Sequence, residues 1–381
     1  MNKMSSILLF LPVAALASLI SLDEEYLGKL RLDMEIKEAP DIHFNKIVDI
    51  GSDPKANIYV LDSKEKTIYI FNEGGKYLRR IGRPGQGPGE LEKPCSLYID
   101  PRGNVYVLDD GNRRIEVFDN ESHYLKSIKV SVFPEGSQKR IAVNHKGNII
   151  ITGRFRDEKS RFPIATYSPE GEFIKTIPLP LIEYDAVKFN DRDKERASEY
   201  LSGGSVCVDK NDIVFFSHSW PYVIDRVSND DGSVRIKRKT GFNWIPVIFK
   251  TDRMNGMLFG DFTRSKKIFL WGDFIVNAIS VYDWEGNPRK EIQSRKFAAN
   301  PEKYIKLKER YCVLDIFSNE LKYIASGRID GNINILASDG KGRLLGVRQD
   351  DNGMQSIERY SLMISNRPSE KERNSDDRRE E

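Results

Sequence analysis

The chain has 381 residues but few of those from which reactive sites are most often built: three cysteines and four histidines. Cys95, Cys207 and Cys312 share no close spacing, so a disulfide-dense scaffold is excluded and no structural disulfide is expected. Cys-x-x-Cys, His-Glu-x-x-His and Gly-x-Ser-x-Gly are all missing, which removes the common zinc and serine-hydrolase signatures. Net charge is also small, 60 Lys and Arg against 57 Asp and Glu. A protein living off phosphate-backbone contacts needs a clear basic excess, so no nucleic-acid partner is expected. What is present is core material: 39% of residues are hydrophobic and 10% aromatic, enough to exclude global disorder.

One long apolar run exists, and it stands first. Lys3 precedes Ile7-Leu8-Leu9-Phe10-Leu11-Pro12-Val13-Ala14-Ala15-Leu16-Ala17. A charged start, a short apolar stretch and a small-residue site describe a signal peptide over residues 1–17, cleaved after Ala17. The run falls short of the ~20 residues that span a bilayer. The expected mature chain is exported, periplasmic or extracellular, without a transmembrane segment.

Beyond it the sequence repeats. Asn57-Ile58-Tyr59-Val60-Leu61-Asp62 returns as Asn104-Val105-Tyr106-Val107-Leu108-Asp109, an offset of 47 residues (57 to 104), and Phe71 and Tyr77-Leu78 return as Phe118 and Tyr124-Leu125 at the same offset. Later copies drift: Asn148–Ile151 with Tyr167–Phe173, Asp212–Phe216 with Val227–Gly232, Val281–Gly286, then Arg343–Val347 with Ile357–Leu362. Six units from about Ile42 to about Ile364 are roughly 54 residues each. Within the second, Leu97–Asp100, Val105–Leu108, Ile115–Phe118 and Tyr124–Ile128 read as strands A to D, joined by Asx- and Gly-rich turns. Four short strands repeated six times predict an all-β, six-bladed β-propeller over residues 30–365. Leu30–Ile36 alternates with period two and is placed to close the ring on the last blade. Two short helical insertions are expected, Asp191–Leu201 and Asn300 to about Arg310, the second opening with Asn at the cap and Pro301 behind it. Residues 366–381 alternate charges without apolar anchors and read as a disordered tail.

Asn112-Arg113-Arg114-Ile115-Glu116-Val117-Phe118-Asp119 resembles the N-x-R-I-x-V-F-D core of NHL repeats, and Ile81–Leu91 is similar to the glycine-rich stretch between successive NHL units. The whole looks like the exported NHL/TolB-like bacterial propellers, with the likeness sharpest over residues 57–130. Among NHL propellers the peptide-amidating lyases hold a channel zinc on several histidines. Here His43, His123 and His145 fall before a blade or in turns, leaving His218, so the resemblance carries no such site over. Gly85-x-Gly87-x-Gly89 is followed by a strand, not by the helix a phosphate loop needs, and reads as an inter-blade connection. Asp100, Asn144 and Asp209 end strands A and read as turn formers, with structural calcium left open and no other cofactor expected.

A–B and C–D turns share one face of a propeller; B–C loops and D–A crossovers share the other. The long segments fall in the second class, which makes that face the candidate binding face. From the B–C loops of the third and fourth units come Arg154, Arg156, His218, Trp220 and Tyr222, guanidinium groups beside rings that suit an anionic or planar group. The reading is a monomeric, non-enzymatic binding or assembly module for a protein, peptide or glycan. Its alternative is a propeller hydrolase or lyase with a metal in the central channel. N-terminal sequencing of protein from its native host is expected to begin at Ser18; a retained Met1 in the cytosol refutes export.

Overall fold

The computed structural model describes residues 29–39, 42–136, 139–156, 161–177, 179, 203–219, 222–228, 233–237, 245–250, 255–260, 263–284 and 307–363. All regular structure among them is β. Strand β1 (Lys29–Ile36) is followed by a two-residue pair, β2 (Glu38–Ala39) and β3 (Ile42–His43). Blade one is β4 (Ile47–Ser52), β5 (Ile58–Asp62), β6 (Thr67–Phe71) and β7 (Tyr77–Ile81); blade two is β8 (Pro94–Ile99), β9 (Val105–Asp109), β10 (Arg114–Phe118) and β11 (Tyr124–Lys129). Blade three comprises β12 (Ile141–Val143), β13 (Ile149–Arg156), β14 (Arg161–Tyr167) and β15 (Phe173–Ile177), and blade four β16 (Gly204–Val208), β17 (Val214–His218), β18 (Val223–Val227) and β19 (Ser233–Lys237). A separate hairpin, β20 (Ile245–Lys250) with β21 (Asn255–Gly260), precedes blade five. That blade is β22 (Thr263–Trp271), β23 (Phe274–Trp284), β24 (Leu307–Phe317) and β25 (Tyr323–Asp330).

The sixth sheet uses both ends of the described chain: β26 (Ile333–Ser338), β27 (Leu344–Gln349), β28 (Gln355–Met363) and, antiparallel on β28, β1. The expected closure by Leu30–Ile36 is what the sheet contains. The innermost strands neighbour one another in the cyclic order β4, β8, β12, β16, β22, β26 and back to β4.

Packing explains the strand sequences. Every residue of β5 and β6 is buried, because middle strands are covered by a neighbouring blade on each face, and they read as continuous apolar runs. The outermost strand β7 alternates exposed and covered residues. The buried apolar residues form six clusters, one in each gap between adjacent blades. Tyr59, Ile70 and Val107 meet between blades one and two; Ile36, Val60 and Leu345 meet between six and one.

Five of the six A–B turns share one device, the exception being the two-residue Gly272-Asp273 turn of blade five. Asp53, Asp100, Asn144, Asp209 and Asp339 each accept the backbone N–H groups two and four residues on, all between 2.8 and 3.0 Å. The residue three positions on takes a left-handed conformation: Ala56, Gly103, Gly147, Asp212 and Gly342. Asp100, Asn144 and Asp209 thus spend a side-chain oxygen on turn amides, as their sequence reading has it.

Two sequence expectations need correcting. Leu307–Arg310 is not the end of a helix but the start of β24, where Leu307, Lys308 and Glu309 pair with Trp284, Asp283 and Tyr282. Its strand partner supplies the hydrogen bonds that a capping signature alone cannot outbid. Asp191–Leu201 and Asn300–Lys306 lie outside the described residues, as do 1–28 and 364–381. The fifth blade was also misaligned by the sequence: Val281–Trp284 ends its second strand, and its C–D turn is Ser318–Lys322.

In the C–D turn of blade three Gly171 has φ of 96°, and a Cβ there would overlap the Lys129 carbonyl of blade two. Gly171→Ala is expected to lower stability by about 2 kcal/mol or more in denaturant unfolding, since left-handed strain and a backbone clash add.

Candidate functional site

Strands A begin, and strands B end, on the face of B–C loops and crossovers. Buried acids organise that end of the molecule. Asp62, closing β5, accepts from the incoming amides of Asn45 (2.7 Å) and Lys46 (3.0 Å). Asp109, closing β9, does the same for Glu92 and Lys93, both 2.8 Å. In blade three the Thr152 hydroxyl accepts from Arg140 N (2.9 Å) and donates onward to Gly204 O of blade four (3.1 Å).

A second set of acids sits mid-strand in strands C, in Arg114-Ile115-Glu116-Val117-Phe118, Val223-Ile224-Asp225-Arg226-Val227 and Val313-Leu314-Asp315-Ile316-Phe317. Each is fully or almost fully buried and each restrains a loop. Glu116 accepts from Gly89 N (3.2 Å) and Ser127 Oγ (2.8 Å) and is paired with Arg114. Asp225 Oδ2 lies 2.7 Å from His218 Nε2. Asp315 accepts the Tyr222 hydroxyl at 2.8 Å, across the gap between blades four and five, and binds Ser326 Oγ.

These bonds locate the residues singled out from sequence. His218 and Tyr222, at 4% and 5% exposure, are turned inward onto Asp225 and Asp315. They pin both ends of the B–C connection of blade four. Trp220, between them, lies outside the described residues. Arg154 is one-quarter exposed, with Nη2 3.1 Å from Glu135 Oε2, and its backbone pairs with Glu135 on the crossover from blade two. Arg156 ends β13, and its side chain is not among those described.

Sequence reading missed a buried ionic group where the innermost strands begin. Asp49 of β4 is wholly buried and receives Lys267 Nζ of β22 at 2.6 Å, Ser96 Oγ of β8 at 2.8 Å and Leu97 N at 3.1 Å. Ser96 Oγ also accepts Ile141 N (3.4 Å), and the neighbouring Arg140 gives Nη1 to Cys95 O at 3.2 Å. Asp49, Arg140 and Lys267 therefore come from blades one, three and five and converge across the channel. Burial works against the Asp49 carboxylate, but Lys267, Arg140 and the hydrogen bonds outweigh it and hold the group below the ordinary carboxylate range. Burial pushes the Lys267 ammonium below the ordinary lysine range, with Arg140 adding to the effect and Asp49 opposing it. Burial pushes the Cys95 thiol up to about 12 and Cys207 likewise upward, so neither is a nucleophile near neutral pH. Among the described residues no group of three or more His, Cys, Asp and Glu is placed to hold a metal.

A family model described as a 6-bladed beta-propeller, DUF5128, matches residues 41–159. The chain is a six-bladed β-propeller. A member of the DUF4221 family from Bacteroides vulgatus superposes with a TM-score of 0.60 at 11% identity, covering 89% of this chain and 100% of its own. An exported-protein candidate from Bacteroides fragilis reaches 0.52 at 11% identity, over 88% and 96%. A streptogramin B lyase structure follows at 0.47 and 13% identity, over 90% and 100%, a likeness too loose to bear on chemistry. At these identities the likeness is one of fold. No curated protein matches in sequence. Among the described residues no helix is long and apolar enough to cross a membrane.

Asp49→Asn is expected to cost about 3 kcal/mol or more at neutral pH, because it leaves Lys267 buried beside Arg140 without a counter-charge. With a folded-state pKa below the unfolded value, Asp49 contributes stability above pH ~4 that is lost as pH falls through the folded value. The gap between the two unfolding curves should therefore be widest above pH ~4 and narrow below it. A gap that does not vary with pH removes the assignment.

Proposed function

We propose that this propeller is an exported, monomeric binding module that takes up a protein, peptide or glycan on the face of its long connections. One observation carries the reading. The A–B and C–D turns of the described blades are short, whereas the connections that join Ile177 to Gly204, Lys237 to Thr263 and Trp284 to Leu307 are long, and the strand ends they join belong to the other face. Long connections on a rigid scaffold are where recognition concentrates. The likeness to an exported-protein candidate favours export.

Within that face, Arg154, Arg156 and Trp220 are the contact residues, and His218 and Tyr222 are the supports. In the sequence, Ser219-Trp220-Pro221 stands between two buried anchors, His218 and Tyr222. An aromatic side chain has few rotamers to lose on binding, and a guanidinium suits a carboxylate or a planar group. A second reading, a propeller hydrolase or lyase with a channel metal, rests on the buried His218–Asp225 pair, an arrangement that orients a general base. Stoichiometric zinc or calcium, lost on chelation together with a hydrolytic activity, would replace the first reading.

The test uses arrays of acidic peptides and uronate-bearing glycans. The native chain is expected to bind members of one class saturably. Trp220→Ala should weaken that binding by about 2 kcal/mol or more with the melting temperature unchanged. A lowered melting temperature instead makes Trp220 a packing residue and removes the site, because large-to-Ala changes in a core cost about 3–5 kcal/mol.

A further inference from the structure

The ionic group at the channel is not balanced. Among the described residues it joins one carboxylate, Asp49, to two cations, Lys267 and Arg140. The next acid along, Asp110, is occupied by Lys139 and Lys93. The other titratable neighbours are Cys95 and Cys207, both neutral thiols, and Asp109, whose carboxylate is taken up by the amides of Glu92, Lys93 and Gly111.

Donors are left over as well. Lys267 Nζ has three N–H groups and gives one to Asp49. Arg140 uses Nη1 twice, to Cys95 O at 3.2 Å and Lys139 O at 3.1 Å. Its Nε and Nη2 meet no acceptor among the described residues, and neither is sealed from solvent. Nε and Nη2 form one edge of the guanidinium, with two parallel N–H groups spaced for the two oxygens of a carboxylate or phosphate. Arg140 cannot turn this edge away without losing the carbonyl bonds that hold Nη1. The group lies at the start of the innermost strands, on the face of the long connections, so an ion reaches it from the channel mouth.

We propose that the channel mouth binds a small oxyanion, carboxylate or phosphate in class, between the Nε–Nη2 edge of Arg140 and the free N–H groups of Lys267. The ion neutralises the excess positive charge and ties blades three and five together opposite the Asp49 bridge. This site stands apart from the outer-loop partner and does not depend on it.

Isothermal titration of the purified full chain with sodium phosphate, sodium acetate and sodium chloride, at matched ionic strength, tests the proposal. A saturable one-site heat is expected with phosphate or acetate and not with chloride, and whichever ion gives it identifies the source chemistry. Arg140→Gln should weaken it tenfold or more, the loss of one charge-assisted pair, while Lys126→Gln on the outer strand β11 leaves it unchanged. If Arg140→Gln does not fold, Arg140→Lys serves: the charge stays, the fork goes, and affinity is expected to fall severalfold. Equal heats with all three salts, no saturable heat, or an affinity that both Arg140 variants leave intact would overturn the site.

Discussion

Each blade of this protein is apolar on both faces, and everything else follows from that. A four-stranded sheet with one bare face would expose a contiguous apolar patch, so every blade needs two neighbours. Six blades meet the demand only if the sixth returns to the first, and the six inter-blade clusters show that it does. Apolar packing is indifferent to small rotations of one sheet over another; hydrogen bonds are not. Near the axis Asp49 reaches Ser96, Thr152 reaches Gly204, Ser217 meets Ser265 at 2.6 Å and Ser280 meets Asn334 at 2.9 Å. These directional contacts fix the angle at which blades follow one another and leave the outer loops free to vary.

The fold was readable wherever local turn chemistry and strand pattern agreed. Blades one and two announce themselves through Asn57 and Asn104, whose repeated runs end in Asp62 and Asp109, because those acids do the same work in both. Blade five hides its repeat. Its C–D turn begins with Ser318 in place of the Asp119 of blade two, and over 20 residues separate β23 from β24. The alignment of Val313–Phe317 with Arg114–Phe118 is clear only once Tyr323 is seen edge-on against Phe317, as Tyr124 is against Phe118. The resemblance of residues 112–119 to an NHL core likewise rests on blade two alone.

The chemistry was less legible, for a physical reason. Strand alternation tells which residues face inward, not which distant residue they meet. Asp49 reads as a polar residue in Val48-Asp49-Ile50, and Lys267 as the end of a charged pair. Their contact spans two blade gaps and has no local signal. His218 and Tyr222 were found, but their direction was not: the mid-strand acids Asp225 and Asp315, which draw them inward, stand out only when the three strands C are laid side by side. A buried acid in an otherwise apolar Ile-Asp or Leu-Asp strand is the signal that would have served.

Closing the ring joins residues as far apart as Lys29 and Met363. Loop entropy grows only with the logarithm of length, so relative to a hairpin the extra cost is roughly six doublings, about 4 kcal/mol. Seven cross-strand pairs and the cluster around Ile36 and Ile357 act against it. At equilibrium the distance is therefore a modest burden. In time it is a large one, since a contact between the two ends of a chain is among the last that a folding search encounters. Until it forms, β28 has a bare edge and the sixth blade has three strands, and this seam sets the order in which the molecule can be assembled.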